Sequence, residues 1–525
     1  MNYLIQRSQV INLFIFTVAF VSLSYILLNF YTPIGGSDFW MHAGHVRYFS
    51  ENIFSPVTNY DEAGTIKVRN FAPWQFLLAI ISNIFDLSTV QTMQVGTVIS
   101  VALILVGLWL ISGILSTSHF ASSALLITAL FIIGRGFLWS EEIHIHSIFL
   151  TASFPSTVAV ALSFFCFFFT NKYLKQPSLI CGLGVVLCVS LVLLIHQMVY
   201  LHFMTFLFFW VVYMATSWKQ RFIVFGLFTG GVLLAMFWPY YNPIEISYAA
   251  ATGIGGDSRW DGNFSEVKLK AVETSRGIFF GGENFVKTMG LAISSYALVF
   301  FIKSKIRWPL LVFALFCTFM WHFGRTFHLP TSGYRWAMPT IFALQFIFAH
   351  HLAYAFEKVA SIKPRFNKVY ILSCLLIAVT GMVSIYNLRT EMWRTLPQLK
   401  TDDPANYTHI QSLITLADKL EGNIDPQAVV LADHRVSYTL VGLDLNPVIF
   451  SRKYNQTNTQ LLNFYNNDLS VIQQQALLKQ MNVSIILVDK TKHSVELVES
   501  IKTYAKKEAE QGPFIAYKID PSIEM

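Results

Sequence analysis

Residues 11–49 read INLFIFTVAFVSLSYILLNFYTPIGGSDFWMHAGHVRYF. Positions 11–30 carry no charge, and twenty such residues are the length an α-helix needs to cross a hydrocarbon core. The run has no small-residue cleavage site and is followed by many similar ones, so it reads as a retained span rather than a signal peptide. Directly after it come Gly35, Gly36, Ser37 and Asp38, and then aromatic, histidine and arginine residues. A membrane span that opens onto a polar, histidine-bearing segment sets the reading of everything downstream.

Working outward, apolar runs recur at 92–114, 120–138, 155–171, 178–195, 198–216, 222–238, 289–302, 308–325, 335–353 and 369–388. With 11–30 they make eleven candidate spans. Five gaps, 1–10, 171–177, 217–221, 303–307 and 357–368, hold twelve basic residues (among them Arg7, Lys172, Lys219, Lys303 and Arg365) against one acid, Glu357. Basic loops stay in the cytoplasm. The N-terminus is therefore expected inside, the loops 31–91, 139–154, 239–288 and 326–334 outside, and residue 389 onward outside. The gap 115–119 falls on the inner side without charge. The segment 71–85 (FAPWQFLLAIISNIF) is too short to span and is read as a re-entrant or interfacial helix at the outer surface, with Pro73 and Trp74 at its start.

Composition agrees. Of 525 residues, 54% are hydrophobic and 13% charged, and the mean hydropathy is +0.51. This is the balance of a polytopic membrane protein. The net charge of +7 is accounted for by the inner loops, so no nucleic-acid partner is inferred. The five cysteines, Cys166, Cys181, Cys188, Cys317 and Cys374, all lie in apolar runs and read as small core residues, with no zinc spacing.

From about residue 400 the apolar runs shrink to strand length: AVVLA (428–432), NPVIF (446–450), VSIILV (483–488) and PFIAYKI (513–519). Helix-like stretches at 407–420, 469–480 and 493–510 alternate with them. The expected organisation is an all-α membrane domain over 1–390 and a small α/β extracytoplasmic domain over 400–525.

Polar residues gather in the outer segments. Ser37 or Asp38 can cap a helix starting at Phe39, which would put Asp38, His42 and His45 on one face. Asp38 then has two readings: a helix cap, or a carboxylate at the water–lipid boundary that accepts a proton from a hydroxyl. In WSEEIHIHS, Glu141, Glu142, His144 and His146 sit within six residues. Glu142, His144 and His146 could ligate a divalent metal such as Mg or Mn, or the segment is a solvated loop tip. In FWPYY, Trp238, Tyr240 and Tyr241 form either an interfacial belt or a stacking wall for sugar or isoprenoid. A glycine-rich stretch (253–262) and Arg276 follow in a loop long enough to serve as a lid. Arg325, His328, Tyr334 and Arg335 cluster at two outer helix ends, where arginine suits a phosphate. His196 and His202 lie at and just inside the outer boundary, and line a cavity or bond between helices.

One span, an Asp-bearing outer loop with a juxtamembrane helix, and then many spans resemble the C-type glycosyltransferase (GT-C) superfamily. The pattern D-x-W-x-H-x4-R-Y, here Asp38, Trp40, His42, Arg47 and Tyr48, with F-x-P at Phe54–Pro56, is similar to bacterial multi-pass members. These are distant relatives of the protein O-mannosyltransferases and the lipid A aminoarabinose transferases. The resemblance implies Asp38 as catalytic base and a polyprenyl-phosphate sugar as donor. It also implies a second acidic residue in the loop of Glu141 and Glu142, and a basic residue, Arg335, on the lipid phosphate. The acceptor is expected to be a glycan, lipid or protein hydroxyl at the outer face of a bacterial inner membrane. A transporter or flippase would need charges near the midplane and inverted repeats, which the chain lacks. An O-antigen polymerase or ligase would place its motifs in a large late loop, for which 239–288 is the candidate.

Overall fold

The computed structural model describes residues 2–30, 36–51, 71–132, 151–244, 298–323, 336–361, 405–421, 428–441, 445–447 and 456–520, with isolated positions between them. They fall into two compact units. One comprises Met1–Tyr31, Ala72–Trp74 and Gly96–Leu388; the other comprises Thr32–Phe71, Gln75–Val95 and Arg389–Met525.

Helices occupy the described apolar runs and the polar segment after the first of them. They are α1 (Asn2–Phe30), α2 (Gly36–Glu51), α3 (Pro73–Phe85), α4 (Thr89–Leu115), α5 (Ala121–Ile127, passing into a π-turn at Thr128–Ile132), α6 (Pro155–Lys175), α7 (Leu179–Ile195), α8 (Gln197–Met214), α9 (Trp218–Ala235), α10 (Arg307–Phe323) and α11 (Ala337–Ser361). Of these, α4, α6 and α8 are long and apolar enough to cross a membrane; α3, α7 and α10 are shorter apolar helices. The run 369–388 and most of 289–302 lie outside the described residues. Apolar side chains stand exposed along these helices: Leu13, Phe14 and Val21 on α1, Leu179, Ile180 and Leu187 on α7, Phe222 and Leu233 on α9. A surface of that kind suits hydrocarbon surroundings and is costly in water.

Inside the first unit the helices pack through small residues and aromatics. A Cβ on Gly231 of α9 would stand 2.6 Å from Val189 Cβ and 2.8 Å from the Val186 carbonyl oxygen of α7, so only glycine permits that approach. Phe167 meets Trp210 at 4.6 Å and Phe206 at 5.0 Å, both edge to face. Cys166, Cys181, Cys188 and Cys317 are buried free thiols.

Neighbouring segments are tied by side chains that donate to backbone carbonyls at or near helix ends and turns, Leu115 and Leu174 lying at the C-terminal ends of α4 and α6. His350 Nδ1 donates to Leu115 O (2.7 Å) and His351 Nε2 to Leu298 O (2.8 Å). Ser118 Oγ donates to Ala353 O, Asn12 Nδ2 to His119 O and Gln220 Nε2 to Leu174 O. Each bond joins two segments that the charge pattern assigns to the inner face. At the other ends, Trp74 Nε1 donates to Ser153 O (2.9 Å) and the Tyr241 hydroxyl to Leu194 O. Those four segments are assigned to the outer face.

In the second unit, α3 runs beside α2. Gln75 bonds His42 and Asn83 bonds the Ser50 carbonyl. Both pairs are eight residues apart along their helices, so the two helices are parallel neighbours. With 13 residues, α3 is about 20 Å long, well short of a hydrocarbon core.

The C-terminal segment adds α12 (Ala405–Glu421), β1 (Val429–Leu431), α13 (His434–Val441), β2 (Asn446–Pro447), α14 (Gln456–Tyr465), α15 (Val471–Gln480), β3 (Val483–Asp489), α16 (Val495–Lys502), β4 (Ala505–Gln511) and β5 (Phe514–Ile519). The sheet order is β2-β1-β3-β5-β4, parallel through β3 and antiparallel at β5 and β4. Alternate residues of β3 serve two cores: Ile486 and Val488 face Phe464, Leu478 and Ile501, while Ile485 and Leu487 face Leu416, Val436 and Phe514. Cover on both faces explains why the inner strands β1, β3 and β5 are largely apolar runs. The expected helix at 493–510 is corrected: it ends at Lys502, and Ala505–Gln511 is an edge strand. Lys506, Lys507 and Glu508 are exposed there, and such charges guard an open edge although they favour helix locally.

Two predictions follow from this packing. Gly231→Ala forces α7 and α9 apart and costs about 1–3 kcal/mol, read as a lower thermal midpoint in detergent. Gly226→Ala, on the same helix with open space at the new Cβ, leaves the midpoint unchanged or raises it. In the C-terminal segment, buried Gln474 accepts from Tyr504 and Ser500 and donates to Leu469 O. Gln474→Leu orphans those groups and lowers stability by about 1–3 kcal/mol per buried group, seen as a shifted denaturant midpoint.

Candidate active site

The motif Asp38, Trp40, His42, Arg47, Tyr48 lies on one helix, α2. The helix begins at Gly36 rather than at Phe39 as expected, so Ser37 and Asp38 are its second and third residues and not its cap. An acidic residue is favoured in a first turn as well as at a cap, which is why the sequence pattern fits both starts. Phe39, Trp40, Ala43, Val46 and Phe49 are buried, so α2 is embedded on most of its circumference.

His42 is half-buried. The Gln75 amide donates to its Nδ1 at 3.2 Å, which leaves the imidazole proton on Nε2. His45 is 2% exposed and packs edge-on against Phe71 at 5.0 Å, with Tyr48 at 6.1 Å. Phe49 closes the same cluster against Phe71 (5.1 Å) and Phe76 (5.6 Å). Arg47 is buried as well. Its Nε donates to Glu51 Oε1 at 2.7 Å and its Nη1 to the Leu445 carbonyl at 2.6 Å.

In the other unit, His196 occupies the break between α7 and α8. Its backbone is extended (φ −157°), and its Nδ1 accepts the Val199 N–H at 3.2 Å, capping α8. The FWPYY residues sit beside it. Trp238 and Tyr240 lie 5.4 Å apart, and both pack on a cluster of Leu193, Leu194, Ala235 and buried Tyr241. Burial pushes the Tyr240 phenol above its ordinary pKa. His202 lies 4.8 Å edge-on from Trp336 and lines an apolar crevice with Ser163, Phe164, Phe203 and Phe342.

The structure thus places His42 and His45 together in one unit, and His196, Trp238, Tyr240 and Tyr241 together in the other. Glu141, Glu142, His144, His146, Arg276, Tyr334 and Arg335 lie outside the described residues, as does the side chain of Asp38. Among the described residues no three His, Cys, Asp or Glu side chains form a metal-binding group. Gln75 was missed from sequence because 71–85 draws attention for hydropathy alone.

No protein-family model and no curated protein matches the chain. Among solved structures it is similar to the Archaeoglobus fulgidus oligosaccharyltransferase. In the apo form of that protein the identity is 12% and the TM-score 0.48, covering 98% of this chain and 75% of that one. A form tethered to an acceptor peptide containing the NVT sequon gives 12%, a TM-score of 0.49, and 97% and 74% coverage. A complex of the archaeal enzyme, AglB, with an inhibitory peptide and a dolichol-phosphate gives 12%, 0.46, 97% and 74%.

The cap made by His196 yields a discriminating prediction. His196→Asn retains an N-cap acceptor, whereas His196→Ala loses it and costs about 1 kcal/mol. If His196 serves only the helix, the Asn variant keeps both thermal midpoint and turnover. A chemical role shows as lost turnover at native stability.

Proposed function

We propose that this chain is a GT-C-type membrane glycosyltransferase. It moves a sugar from a polyprenyl-phosphate donor to the hydroxyl of a glycan, lipid or protein acceptor, at the outer face of a bacterial inner membrane. The observation that carries the reading is that Asp38, His42, Arg47 and Tyr48 share one helix, α2, beginning six residues past the end of α1. A parallel neighbouring helix, α3, too short to span, supports the same reading, because a motif helix packed on a non-spanning helix suits a membrane surface better than its interior.

In the proposed reaction the acceptor oxygen attacks the anomeric carbon and the bond from that carbon to the phosphate oxygen breaks, inverting the centre. Asp38 takes the hydroxyl proton as the new bond forms. The departing polyprenyl phosphate carries the bond electrons away as a dianion. Arg335, with Arg276, Tyr334 and His196, is proposed to neutralise it, since a guanidinium offers paired donors to phosphate oxygens. Glu141 and Glu142 are proposed as further acidic residues of the site, and Glu142, His144 and His146 as ligands of a divalent cation. His42, His45, Trp238, Tyr240 and Tyr241 are proposed to line the acceptor side. The segment 400–525 is proposed to lie on the same outer face.

The test is transfer from radiolabelled polyprenyl-phosphate sugars to endogenous acceptors in membranes carrying the native chain or Asp38→Asn. Turnover is expected to fall by about 10²–10⁴-fold at equal protein level. Equal transfer by both chains removes Asp38 from the chemistry. No transfer by either, across a broad donor panel, favours the polymerase, ligase or flippase readings.

A further inference from the structure

The second unit contains a contact that the transfer chemistry does not use. Arg47 of α2 is 6% exposed, and a buried guanidinium is costly unless its donors are matched. One arm is matched locally by Glu51, itself 52% exposed. The other reaches a backbone carbonyl 398 residues away, that of Leu445. Helix α13 packs on α2 in the same unit.

Leu445 and α13 are themselves fixed to the sheet. The Leu445 side chain is buried in the core with Val430, Ile485 and Leu487, and its N–H donates to Leu440 O at 3.1 Å. Ser437 Oγ of α13 donates to Ala432 O, immediately after β1. Asp433, which precedes α13, lies 3.8 Å from Nε2 of His493, and that ring accepts the Asp489 N–H at the end of β3 through Nδ1. Hydrogen bonds at Ala432–Ser437, Leu440–Leu445 and Leu445–Arg47 therefore link the end of β1 through α13 to the Arg47 guanidinium, with the Asp433–His493 approach beside them.

Arg47 stands nine residues after Asp38. That is about two and a half turns and about 13 Å along the axis, on the opposite side of the helix. It cannot touch the groups that react at Asp38. It can hold the helix from the side opposite Asp38.

We infer that the C-terminal α/β segment positions the Asp38 helix, and that Arg47, through the Leu445 carbonyl, is the positioning residue. The inference rests on the proposed role of Asp38. It gives the C-terminal segment a function in turnover that needs no ligand of its own: it sets the angle at which the base meets the acceptor.

The test uses the full chain with Arg47→Met and Arg47→Lys. Methionine keeps the apolar stem and removes every donor; lysine keeps one donor within reach. In Arg47→Met, turnover at saturating donor and acceptor is expected to fall about tenfold or more, with donor KM within about twofold of native. Hydrogen exchange is expected to rise together in 36–51 and 434–447 and to stay native in 483–489 and 514–519. Arg47→Lys restores most of both readouts, and Glu51→Gln, which leaves the Leu445 bond, stays near native. Native turnover in Arg47→Met with raised exchange overturns the positioning role, and unchanged exchange overturns the contact itself. If Arg47→Met does not accumulate, Arg47→Lys decides: turnover and protection of 36–51 must move together, and their separation overturns the proposal. If Asp38→Asn proves as active as the native chain, the base assignment fails, while the exchange measurement still reports on the contact.

Discussion

A carbonyl at the end of a helix has no donor of its own, and in apolar surroundings no water supplies one. The first unit is organised by that constraint. His350 and His351, adjacent on α11, serve the ends of two other chain segments at Leu115 and Leu298. Gln220 does the same for the end of α6 at Leu174, while Asn12 reaches the His119 carbonyl in a turn and Ser118 the Ala353 carbonyl within α11. These polar residues lie within or beside apolar runs, where each would be expensive alone. Their placement is explained by the carbonyl each one meets. Once helix ends are joined in pairs, the helices between them have little freedom in which end points which way, and the aromatic packing of Phe167, Phe206 and Trp210 fills the space that remains.

The second unit answers a different need. Helix α2 is short, rich in histidine and aromatics, and cannot be held by hydrocarbon alone. It is held instead by protein on several sides: α3 with Gln75, Asn83 and Phe76, and the C-terminal segment through α13 and Leu445. A helix so embedded has few alternatives in rotation or tilt. That rigidity is what a reacting side chain requires of its support, since small misplacements are costly to catalysis.

Much of this was legible in the sequence. Uncharged runs of helix length mark the helices, and the short 71–85 run is a helix of 13 residues. Four strands coincide with the short apolar runs of five to seven residues in the C-terminal segment, β3 running one residue further to Asp489, because the sheet is covered on both faces. What was not legible is non-local. AKKEAEQ is composed of helix formers and becomes a strand only because β5 offers it an edge. HRVSYTLV, the helix α13, is only eight residues long and carries β-branched residues, too short a stretch for its Val436–Leu440 spacing to stand out from strand. The Gln75–His42 bond and the Arg47–Leu445 bond join distant positions that no local pattern connects. Of the site, the helix bearing Asp38 was readable from its motif. Its start at Gly36 was not, because Ser37 and Asp38 suit a cap and a first turn alike.

The 398 residues between Arg47 and Leu445 also have a meaning in time. A ribosome adding about 5–20 residues per second makes Arg47 tens of seconds before its partner exists. During that interval α2 stands without the α13 surface that later covers it. Whatever shelters Phe39, Trp40 and Phe49 meanwhile must be already made or borrowed: the lipid headgroup region, α3, or a chaperone. The Arg47–Leu445 bond thus forms long after α2 itself is made, and a chain whose synthesis stops short of residue 445 has α2 without that contact.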